Sequence, residues 1–170
     1  MKEKIRNHFL KFGPRRFVVF TVLTLVILDL INSWYMKLYW KSKDVSLRGV
    51  QLAAAQNGMR VADFGKGTID EMKGLFDNAF YFFLLVILVN NFFFYFFYLR
   101  KKLWAQGYVL FYALTAALFS LAFVMDDAGM GFGWMFYNAS TILIYTYIFL
   151  GVKLLKAETV IIPEGGKKGR

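Results

Sequence analysis

The chain has 170 residues, of which 58% are hydrophobic and 20% aromatic, with 20 phenylalanines and a formal net charge of +10. Soluble domains are about 45–50% apolar; the excess here falls in four long runs, so the chain reads as an all-α integral membrane protein. It has no cysteine and one histidine, His8, which excludes disulfide and thiol chemistry and leaves no His/Cys donor set for zinc or haem.

Residues 1–16 are a basic tail with Lys2, Lys4, Arg6, Lys11, Arg15 and Arg16. The first span is expected at about 17–36, within RRFVVFTVLTLVILDLINSWY. It is longer than a signal-peptide core, carries Asp29 inside it and lacks a small-x-small site behind it, so it reads as a retained helix. Residues 37–75 form the long outer loop, in which Leu47, Val50, Ala54 and Val61 recur near helical spacing, the pattern of a short interfacial helix. The second span, about 76–99, is rich in Phe and ends at Arg100, Lys101 and Lys102. The third span, about 103–125, leads into a loop with Asp126, Asp127 and glycines, and the fourth covers about 132–152. Each span approaches the ~20 residues that cross about 30 Å of hydrocarbon. The expected architecture is a single four-helix transmembrane bundle over residues 1–156 with a flexible polar tail at 157–170.

Fourteen of the 21 Lys and Arg residues lie in the N-tail, the 100–102 turn and the C-tail, against seven on the other side. The positive-inside rule then places both termini in the cytoplasm, consistent with a bacterial inner membrane, with anionic lipid attracted to that face. No basic-aromatic module supports nucleic-acid binding. Trp34, Trp40 and Trp134 fall at expected outer interfaces and Trp104 at an inner one.

Asp29, Asn32 and Ser33 share one face of the first span, and Asn138, Thr141 and Tyr145 share one face of the fourth. At about 1.5 Å per residue both faces lie roughly 10 Å below the outer surface, so they could meet, and Asp29 would then have hydrogen-bond partners inside the bundle. Asn90 and Asn91 sit near mid-membrane on the second span, pointing about 100° apart, so that one faces the bundle and the other a neighbouring chain. Thr115 lies at a similar level on the third span, beside a stripe of small residues, Ala113, Ala116, Ala117 and Ser120, that marks a close helix contact. The plainer reading of the Ser, Thr and Asn residues is hydrogen bonding across helices or back to the backbone. Asn138-Ala139-Ser140 matches a glycosylation sequon but falls inside a span.

Four spans, inside termini and a long first outer loop, with Asp29 in Ile27-Leu28-Asp29-Leu30, Gln56-Asn57-Gly58 in the loop and Asn138-Ala139-Ser140-Thr141 on the fourth span, resemble the type II (lipoprotein) signal peptidases. The resemblance implies Asp29 near the outer end of the first span and Asp126 or Asp127 as one catalytic carboxylate. The second catalytic aspartate would fall near Ser140 or Thr141, so the pair is not preserved and the resemblance implies a relative without the activity.

Three functions follow. The first is a non-enzymatic subunit or scaffold, a homo-oligomer or part of a membrane complex. The second is a small channel or carrier with a polar layer around Asp29. The third is an intramembrane aspartic peptidase using Asp29 with Asp126 or Asp127. No nucleotide or metal motif is present, and no cofactor is expected.

Overall fold

The computed structural model describes residues 2–125 and 131–159. Asp126 and Asp127, and the expected tail beyond residue 159, lie outside the described residues. The described elements are all helical: α1 (Lys2–Phe12), α2 (Pro14–Ser42), α3 (Val45–Gln56), a 3-10 turn (Val61–Asp63), α4 (Lys66–Leu99), α5 (Leu103–Met125) and α6 (Phe132–Thr159). Four of them, α2, α4, α5 and α6, are long and apolar enough to cross a membrane, the build of an integral membrane protein.

The helices outrun the apolar runs that announce them. α2 has 29 residues and α4 has 34, about 43 and 51 Å at 1.5 Å per residue, against about 30 Å of hydrocarbon. Hydropathy marks where a chain leaves lipid, whereas a helix ends where its backbone bonding is interrupted. α2 therefore continues through Lys37–Ser42 and stops at Asp44, which adopts left-handed dihedrals (φ 43°). α4 starts at Lys66, ten residues ahead of its expected span. The N-terminal stretch read as a tail is the helix α1. Its end is written as Gly13-Pro14: Gly13 takes φ 84° and donates to the Phe9 carbonyl, and Pro14 opens α2.

Two compact units are present, one of Met1–Val26 with Phe93–Arg170 and one of Ile27–Phe92. In the first unit, α5 packs along α6, and α1 folds onto α6. The inward residues of α6 are Trp134, Asn138, Thr141, Tyr145, Ile148 and Val152, alternating three and four residues apart. That is the seam expected of closely packed helices. Near its end Phe9, Phe17 and Tyr147 cluster, the Phe9 and Phe17 rings standing edge to face at 5.3 Å. Gly151 makes room for them: an added Cβ would overlap the Phe17 ring and lie 2.7 Å from Phe9. His8 reaches the Tyr147 hydroxyl at 3.1 Å.

In the second unit, α3 buries Ser46, Val50 and Ala54, one face at four-residue spacing. This is the short helix expected from Leu47, Val50 and Ala54; Val61 falls in the 3-10 turn that follows. α3 lies close to α4, since a Cβ on Gly49 would come within 3.1 Å of the Phe76 ring. Trp40 of α2 stacks on Phe80 of α4 at 4.2 Å and donates to the Asp77 carboxylate at 2.7 Å. Lys73 of α4 pairs with Asp44 at 3.0 Å.

Candidate functional site

Asp29 follows Leu25 and Leu28 on the inward side of α2, and its side chain is buried, with 3% of the residue exposed. A carboxyl group in an apolar span is costly unless a donor meets it. Asn91 of α4, itself 2% exposed, meets it: its amide Nδ2 donates to Asp29 Oδ2 at 3.0 Å. The bond joins two helices 62 residues apart in sequence. One turn on, the Ser33 hydroxyl donates to the Asp29 backbone carbonyl at 2.7 Å, and Asn32 is half-buried.

Asn90 and Asn91 have parted as their offset requires. Asn91 is buried against Asp29, and Asn90 is exposed. Asn90 lies on an outward stripe of α4 with Phe83, Val86, Ile87 and Phe93, all exposed. It is thus a carboxamide set in an otherwise apolar face.

A second polar bridge lies in the first unit. Thr141 Oγ1 of α6 is 3.1 Å from Ser120 Oγ of α5 and 2.8 Å from the carbonyl of Asn138. Thr141 has one proton to give; with that proton on the carbonyl, the Ser120 hydroxyl donates to Thr141. The Asn138 amide donates to the Trp134 carbonyl of its own helix at 3.0 Å. Tyr145 is fully buried and meets Tyr112 edge-on, ring centroids 6.2 Å apart. Thr115 and Ser140 return their hydroxyls to carbonyls one turn back. The small stripe of α5 is used inside the unit: Ala113 and Ser120 are buried, Ala116 and Ala117 half-buried.

The expected polar residues therefore sort by partner. Asp29 belongs to the second unit and Asn138, Thr141 and Tyr145 to the first, and each has a partner within its own unit. Gln56-Asn57-Gly58 ends α3: Gly58 takes φ 68°, Gly58 and Met59 donate to the Ala55 and Ala54 carbonyls, and the Asn57 side chain caps Ala53 at 2.8 Å. Trp34 and Trp104 are exposed, while Trp134 turns inward at 5% exposure.

Sequence reasoning missed three contacts. The Trp40–Asp77 bond was hidden because Trp40 was expected in the outer loop, beyond the end of the first span. The Lys73–Asp44 pair was hidden because α4 was expected to start after Lys73. The Gly151 notch was hidden because one glycine in an apolar run carries no label; its signal is the nearby aromatic set Tyr147 and Phe149. Among the described residues no group of three His, Cys, Asp or Glu could hold a metal. No family model, no curated protein and no solved structure matches the chain.

Proposed function

We propose that the chain is a non-enzymatic subunit of a bacterial inner membrane, with both termini cytoplasmic, and that it associates with a second copy of itself through the outward face of α4. The observation that carries this is Asn90, exposed at mid-helix between Val86, Ile87 and Phe93. Acyl chains solvate those apolar neighbours as well as a partner helix would. They offer nothing to a carboxamide, which has two donor hydrogens and two acceptor lone pairs. Asn90 has an interaction within its own chain, and an exposed carboxamide beside apolar residues offers its further donors and acceptors to a neighbouring copy presenting the same residue. The Asp29 carboxyl supports a structural role, since it accepts from Asn91 in a buried helix-to-helix bond. Orientation rests on the fourteen cations that the topology gathers on one side.

The chain has no cysteine, so single-cysteine variants crosslink without background. Val86→Cys and Phe93→Cys are expected to form disulfide dimers in native membranes. Leu143→Cys, on an exposed face of α6, is expected to stay monomeric. Equal crosslinking at all three positions, or none at α4, would refute the assignment.

A further inference from the structure

The joint between α1 and α2 and the turn between α4 and α5 together line an open pocket of about 390 Å³. Four cationic side chains line it, Lys11, Arg15, Arg16 and Lys101, with Phe12 as an apolar wall and no carboxylate among the lining residues. None of the four cations forms an ion pair with a described residue. Four like charges around one small volume repel each other, and an anion relieves that repulsion.

Lys101 adds an independent observation. α4 ends in a Schellman turn: the Lys101 amide donates to the Tyr98 carbonyl at 2.9 Å and the Lys102 amide to Phe97 at 3.1 Å. The residue at the left-handed position of such a turn is usually glycine. Here it is Lys101, at φ 57°, and a side chain there costs about 1–2 kcal/mol. Strain held at one residue points to a use for its side chain, and this side chain lines the basic pocket.

We infer that the pocket binds the phosphodiester of an anionic phospholipid. A free phosphate would need only the cations. A lipid also needs apolar surface for its chains, and exposed Val19, Phe20, Leu99 and Leu103 bracket the basic residues in sequence on both sides. The inference rests on the membrane reading above but not on self-association, so failure of crosslinking at α4 leaves it standing.

The test uses the full chain in neutral detergent, with native mass spectrometry to count retained phosphatidylglycerol. Lys101→Gly removes the charge while giving the turn its preferred residue, and Lys101→Asn removes it with a residue that tolerates the left-handed region. Both are expected to lower lipid retention about fivefold, the effect of one cation at an anionic surface, and Lys101→Gly is expected to unfold no more easily than the wild type. Lys4→Gln, the same charge change on α1 outside the pocket, is expected to retain lipid like the wild type. Equal loss in Lys4→Gln and the Lys101 variants would show a diffuse field and overturn the site. Unchanged retention in both Lys101 variants would do the same. Displacement of the lipid by inorganic phosphate would assign the pocket to a soluble anion and overturn the lipid assignment.

Discussion

The two units hold their helices by different means. In Ile27–Phe92 the links between helices are polar: Asp29 to Asn91, Trp40 to Asp77 and Lys73 to Asp44. In the other unit the Thr141–Ser120 and His8–Tyr147 bonds also cross between helices, but the tightest approach is steric, with Phe9 and Phe17 seated against Gly151. Several of its polar side chains (Asn138, Thr115 and Ser140) turn back to their own helix. A hydroxyl or carboxamide one turn from a helical carbonyl can be satisfied at home and then exerts no pull on a neighbour. A buried ionised carboxyl only accepts, so helical carbonyls cannot satisfy it and it takes a side-chain donor, as from Asn91 of another helix. The first unit should therefore be sensitive to volume, and the second to hydrogen-bonding capacity and charge.

The largest effect is expected where space is shortest. Gly151→Ala puts a methyl group into the Phe17 ring, and overpacking of this kind costs about 1–3 kcal/mol. Gly107→Ala, in open space on α5, is expected to change little or to stabilise by up to about 1 kcal/mol through helix propensity. Thermal unfolding in detergent separates the two, and equal effects would remove the notch from the account. Next comes the polar bridge. Asn91→Leu removes one amide donor from the buried Asp29 carboxyl, at a cost of about 1–3 kcal/mol. Asp29→Asn keeps size and a hydrogen-bonding group and is expected to cost less than Asn91→Leu in the same assay.

The smallest effect is the one set by pH. The hydrogen bond from Lys73 holds the half-exposed Asp44 carboxyl below its ordinary 3.8, against a smaller opposing effect of burial. A carboxyl whose folded value is depressed stabilises the fold at neutral pH and loses that contribution as pH falls through the folded value. A slight loss of stability is therefore expected below about pH 4, and Asp44→Asn should flatten it. An unchanged acid limb in Asp44→Asn would assign the acid sensitivity to other groups.

Much of the frame was legible. The four spans follow from length and hydropathy, α3 from the spacing of Val50 and Ala54, and the divergence of Asn90 and Asn91 from the 100° step of a helix. Which asparagine turns inward was not legible, because α4 is apolar around its circumference and its pattern names no inner face. The Asn91 donor to Asp29 was not legible either, because the reading by depth set Asp29 level with Asn138 and left the rotation of α4 open. α1 was overlooked because a search tuned to spans passes over a short basic helix, although Gly13-Pro14 marks its end plainly.

The most direct test sets the two neighbouring asparagines against each other, with particle mass and unfolding followed for the same purified chains in mild detergent. Asn90→Leu is predicted to weaken the dimer by about 0.6–1.7 kcal/mol, the range of single polar contacts between membrane helices, while the chain unfolds as the wild type does. Asn91→Leu is predicted to destabilise the chain at unchanged dimer affinity wherever it remains folded. A wild-type protein that is monomeric at every concentration, or an Asn90→Leu variant that assembles as the wild type does, would contradict the assignment of α4 as the contact face.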